Sequence, residues 1–118
     1  MKILLNVMLV LNGLTELLAS ATLILGANGL SAAGTGAMWS MHYGFAALAI
    51  ASVSVWAWSY RSNLAVMTTV IGTLLVFHAG LCLSLALAGD QVVGMAIHGI
   101  TAVMCVVLFA RRGRLSTS

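Results

Sequence analysis

Glu16, His42, His78 and His98 are the residues of this chain whose types could do chemistry, and each interrupts a different apolar stretch. A titratable side chain at membrane depth is costly, so it marks a functional site by default. Three imidazoles and one carboxylate are a donor set for Zn²⁺, Cu²⁺ or Fe²⁺. A histidine pair on two helices could instead clasp the iron of a b-type haem. Proton chemistry is another use: Glu16 would exchange a proton for a cationic substrate, with the histidines relaying. A third is interhelical hydrogen bonding, worth about 0.6–2 kcal/mol per group. The chain has no HExxH and no CxxC, so any metal signal lies in geometry rather than in a contiguous motif.

The elements that must position these four follow from composition. The chain has 118 residues, 62% hydrophobic and 6% charged, with no proline. A water-facing surface needs about 25% charged residues. Apolar segments run over 3–25, 38–60, 64–88 and 92–110. Each can cross a hydrocarbon core of ~30 Å, which takes about 20 helical residues. Helices satisfy their own backbone groups where lipid offers no partner, and the period-two alternation of a barrel is absent. The expected fold is therefore all-α integral membrane: one transmembrane domain over 1–118, a four-transmembrane-helix up-down bundle. The first segment is too long for a signal-peptide core and carries Glu16, so it reads as a retained helix.

Charge sets the expected orientation. Lys2 precedes the first segment, Arg61 lies between the second and third, and Arg111, Arg112 and Arg114 follow the fourth. Four spans put all of them on one side, which the positive-inside rule makes the cytoplasm. Both termini are then cytoplasmic, in a bacterial inner membrane. Asp90 alone is charged on the other side. The net charge of +3 is a topology signal, with attraction to anionic lipid as a by-product, and it points to no nucleic acid. Trp39, Trp56, Trp58 and Tyr60 sit at the two ends of the second helix, as an aromatic belt would place them. Cys82 and Cys105 lie at levels roughly 18 Å apart at the helical rise, too far for a disulfide. The 26–37 link reads as flexible, 60–63 and 89–91 as tight turns, and 111–118 as frayed.

Depth and helical phase then locate the four candidates. Counted along each span, Glu16 stands ~20 Å, His78 ~21 Å, His42 ~24 Å and His98 ~20 Å above the cytoplasmic face. Glu16 shares a face with Asn12, Gly13, Ala19 and Ser20. His98 shares one with Gln91, Gly94, Thr101 and Cys105. Asn12, Gln91 and Thr101 could orient the ligands of a cofactor by hydrogen bonds. Cys82, one turn outward of His78, could join a softer site, as could Met38, Met41 and Met95. His42 and His78 lie opposite two stripes of small residues: Ser40, Gly44, Ala47, Ala51 and Ser54, and Thr69, Gly72, Thr73, Gly80 and Ser84. These stripes either pack the second and third helices together or form contacts in a homo-oligomer or a larger membrane complex; we expect the second, which leaves both histidines to face the core.

Two family resemblances rest on particular residues. Asn12-Gly13-Leu14-Thr15-Glu16-Leu17-Leu18 resembles the start of a helix in DoxX-like small membrane proteins. Phe77-His78, then His98, then Arg111-Arg112 resemble that group's later helices. The resemblance implies four membrane helices and either quinone-linked oxidation or an accessory role in a membrane complex. His42 has no counterpart in it. Length, four spans and a glutamate midway along the first are also similar to small multidrug resistance transporters, which implies proton-coupled transport through Glu16. The helix prolines of that family are missing here, and its members have no such histidines. The leading expectation is thus an intramembrane His/Glu cluster holding a transition metal or haem, in quinone-linked redox. The alternatives are a proton-coupled carrier and an accessory subunit. On the orientation, a reporter fused after Arg114 is expected to be active only when it works in the cytoplasm. Activity of an exported reporter at that position would reverse the topology.

Overall fold

The computed structural model describes residues 1–31, 33–89 and 91–115. It is all-helical, with α1 (Lys2–Gly26), α2 (Thr35–Trp58), α3 (Leu64–Ala88) and α4 (Val92–Ala110). Short 3-10 turns occupy Gly29–Ser31 and Arg112–Leu115. The long helices have 25, 24, 25 and 19 residues, and each is long and apolar enough to cross a membrane. Leu18, Val55, Val76, Leu87 and Val103 stand exposed on them. So much outward-facing apolar surface suits lipid rather than water.

Local chemistry sets the helix ends. Asn63 is extended and its side-chain oxygen accepts the Val66 N–H at 3.1 Å, capping α3. Gly89 closes α3 at φ 79°, its N–H donating to the Leu85 carbonyl at 3.0 Å. A side chain would be strained in that left-handed conformation. α2 starts at Thr35 and stops at Trp58, displaced from the expected 38–60. The Tyr60 N–H turns back to the Ala57 carbonyl at 2.9 Å, and the Asn63 N–H to the Tyr60 carbonyl at 2.8 Å. These three-residue returns break the α pattern.

The 26–37 link contains a 3-10 turn entered through Asn28 at φ 64°, a conformation asparagine tolerates. One expectation for the connections needs correction. The 111–115 stretch is folded rather than frayed. The Arg114 N–H donates to the Arg111 carbonyl at 3.0 Å, and Leu115 is only 2% exposed. Burying one leucine side chain stabilises by about 1.5–3 kcal/mol, enough to hold a turn. Ala32, Asp90 and residues 116–118 lie outside the described residues.

Packing divides the chain into two compact units, one of Met1–Leu9 with Ala57–Ser118 and one of Val10–Trp56. In the second, the Asn12 amide donates to Ser54 Oγ at 2.8 Å and to the Ile50 carbonyl at 3.1 Å. A methyl on Gly13 would stand 3.4 Å from Ser54 Cβ, and one on Gly44 2.6 Å from Ile24 Cγ1. Gly44, Ala47, Ala51 and Ser54 are buried. The small-residue stripe of α2 is therefore used inside the chain, contrary to the expected role in an oligomer. In the first unit α3 and α4 pack antiparallel: Gly72 lies against Phe109, Cys82 beside Gly99 and Leu85 beside Gly94. Here Ile71, Leu74 and His78 are buried, whereas Thr69, Thr73, Gly80 and Ser84 are exposed.

Gly44 tests this packing. A side chain there would also stand 3.2 Å from the Ile24 backbone nitrogen, so α1 and α2 would have to part. Gly44→Val is expected to lower stability to unfolding in detergent by about 1–3 kcal/mol. Gly80→Ala, where nothing lies within 4 Å, should cost nothing. Equal stability of the two variants would show that the Gly44 contact is not formed.

Candidate metal centre

Helices α1, α3 and α4 each carry a buried row that includes a glutamate or a histidine. On α3 the row is Ile71, Leu74 and His78, and on α4 it is His98, Thr101, Cys105 and Leu108. Spacings of three and four keep such residues on one helix face. The two rows meet at the histidines. His78 Nδ1 stands 2.8 Å from His98 Nδ1, with ring centroids 5.1 Å apart and planes tilted by 32°. A hydrogen bond between two Nδ1 atoms requires one ring to donate its N–H and the other to accept on a bare nitrogen. Phe77 sets its ring edgewise to both, at 5.2 Å from His78 and 6.2 Å from His98. On α1 the row is Asn12, Glu16 and Ser20, all buried.

Glu16 belongs to the Val10–Trp56 unit, and His78 and His98 pair within the other. Each offers one ligand atom, a carboxylate oxygen or an imidazole nitrogen. All three residues are buried: Glu16 and His78 are 0% exposed and His98 is 7%. Two imidazoles and a carboxylate form a borderline donor set for first-row divalent ions.

His42 does not join them. Its side chain is exposed on α2, edge-on to Trp39 at 5.9 Å between ring centroids. The expectation that it faces the core fails because Asn12 draws Ser54 inward, and the Ser54 side of α2 lies opposite His42. Gln91 also falls away from a supporting role. It is exposed at the start of α4 and makes no side-chain cap bond, about 10 Å along the helix axis from His98. Thr101 is buried one turn from His98, and its hydroxyl donates to the Ile97 carbonyl at 2.9 Å. Asn12 is buried one turn from Glu16, with its amide given to Ser54 and Ile50. Cys82 is half-buried; a methyl on Gly99 would stand 3.3 Å from its sulfur. Met38 is exposed.

Phe77, quoted above only for a family resemblance, walls the imidazole pair, and the phenol of Tyr43, which the sequence did not single out, lies within electrostatic reach of the Glu16 carboxylate. No spacing rule points to Tyr43. No family model, curated protein or solved structure matches the chain.

The Nδ1 contact is open to test. His98→Phe keeps an aromatic ring of similar size and removes the nitrogen that His78 faces. Loss of a buried hydrogen-bond partner costs about 1–3 kcal/mol, so thermal unfolding in detergent should move down accordingly. A variant as stable as the parent would show that the two rings do not bond.

Proposed function

We propose that this chain is an integral protein of a bacterial inner membrane, with both termini cytoplasmic, that holds one transition-metal ion between Glu16, His78 and His98. The observation that carries this reading is the approach of two buried imidazole nitrogens, His78 Nδ1 and His98 Nδ1, to 2.8 Å. Zn²⁺, Fe²⁺ and Cu²⁺ all accept imidazole and carboxylate. Around a tetrahedral ion with bonds of ~2.0–2.1 Å, two ligand nitrogens stand about 3.3 Å apart. The 2.8 Å between the Nδ1 atoms is shorter, so the rings would turn slightly apart, or one would offer Nε2. Haem suits the geometry less well. A porphyrin is about 3.5 Å thick between contacting carbons, and no such layer fits between nitrogens in direct contact. A bound redox-active ion would serve electron transfer to membrane quinone, the activity implied by the DoxX-like resemblance.

The imidazole contact itself favours a second reading. Two Nδ1 atoms joined by one hydrogen can store and pass a proton. Glu16 would then drive exchange of a proton for a cationic substrate.

Elemental analysis of the protein purified in detergent separates the two. The metal reading expects about one ion per chain, lost by at least tenfold in His78→Ala and His98→Ala, since even outer partners of a metal site change affinity 10–100-fold. Cobalt substitution should give a visible ligand-field spectrum that disappears in both variants. Protein that binds no added metal, or holds it equally well without either histidine, sinks this reading. Binding of a cationic substrate that releases protons and is abolished by Glu16→Gln would then establish the carrier.

A further inference from the structure

We infer that the end of the molecule carrying Arg61, Arg111 and Arg112 is a docking surface for anionic phospholipid headgroups. The chain's five basic residues, Lys2, Arg61, Arg111, Arg112 and Arg114, all belong to the unit of Met1–Leu9 and Ala57–Ser118. Its one acidic residue is Asp90, between α3 and α4 in the sequence. Its contacts gather the cations at one end. Arg61 Nη1 donates to Asn6 Oδ1 at 3.4 Å, which sets the α2–α3 link against the first turns of α1, one turn from Lys2. The antiparallel pairing of α3 and α4 points the end of α4 toward the start of α3, with Phe109 against Gly72. The Arg112–Leu115 turn packs on α3 and buries Leu115. Arg111 and Arg112 are exposed at the end of α4 that is turned toward the α2–α3 link.

Two of these guanidinium groups are fixed before any ligand arrives. Arg61 lies over the Trp58 ring at 3.9 Å and Arg112 over the Phe109 ring at 4.5 Å. Arg112 Nη1 also donates to the Phe109 carbonyl at 2.7 Å. Stacking on an aromatic face sets the plane of the guanidinium. Each group has five N–H donors and gives one to these hydrogen bonds. The remainder match the oxygens of a phosphodiester in forked geometry. The source is a lipid rather than free phosphate because exposed Trp58 and Tyr60 flank the same link. Aromatic side chains of that kind settle at the level of lipid headgroups.

The test equilibrates the intact protein with mixed micelles of phosphatidylcholine and phosphatidylglycerol in equal amounts and measures retained lipid by native mass spectrometry. Phosphatidylglycerol should be enriched several-fold. Arg112→Gln and Arg111→Gln should each cut the enrichment by up to about fivefold, the effect of one basic residue at an anionic surface. Raised salt should act in the same direction. Arg61→Gln could loosen the α2–α3 link, so Arg111→Gln, with helicity checked by circular dichroism, carries the decision. Equal retention of the two lipids overturns the inference, as does enrichment unmoved by the Arg111→Gln/Arg112→Gln pair. Displacement of the lipid by inorganic phosphate at matched concentration would assign the end to free phosphate and overturn it as well.

Discussion

A ring nitrogen buried among apolar side chains must find its hydrogen-bond partner inside the protein, because lipid supplies none. His78 and His98 meet this requirement through each other, Nδ1 to Nδ1 at 2.8 Å. That bond fixes both the rotation and the axial register of α3 against α4. Once it is set, the neighbouring levels follow. Gly99 makes room for the Cys82 sulfur, Gly94 for Leu85 and Gly72 for the Phe109 ring. Small residues thus fall where the partner helix is bulky, which permits close packing without a hydrophobic driving force between the helices.

The Val10–Trp56 unit answers the same constraint with an amide. Asn12 gives both of its N–H groups to α2, one to a hydroxyl and one to a carbonyl. The carbonyl belongs to Ile50, whose own turn of helix leaves it a lone pair to share. Gly13 and Gly44 let the two backbones close around this bond. Here the polar contact selects which face of α2 is turned inward, and the exposed position of His42 is a by-product. His42 is the eighth residue of α2 and stands edge-on to Trp39.

The four long helices were legible because apolar runs of sufficient length and the lack of proline leave the backbone no other way to satisfy itself. The inward faces of α1 and α4 were legible from their polar residues, and Glu16, His78 and His98 stood out for the same reason. The rotation of α2 was not. It depends on Asn12 meeting residues 38 and 42 positions away, and sequence carries no marker for that pairing. The cost of exposing His42 weighed against the observed rotation, although a stripe of small residues suited it. The folding of the tail was likewise hidden, since one leucine among arginines gives no periodic signal. Only the closeness of α3 in space makes Leu115 an anchor.

The imidazole pair has a property that neither ring has alone. With both rings neutral, the one that donates from Nδ1 keeps a bare Nε2, and the one that accepts carries its hydrogen on Nε2. The opposite neutral state needs the bridging hydrogen to cross while one Nε2 loses a proton and the other gains one, so the two states interconvert by proton exchange at the far edges. The far edges are therefore complementary in either state, one basic and one protic, and never alike. A cation that requires lone pairs from both must expel that hydrogen, whereas a hydrogen-bonding guest is always offered one site of each polarity.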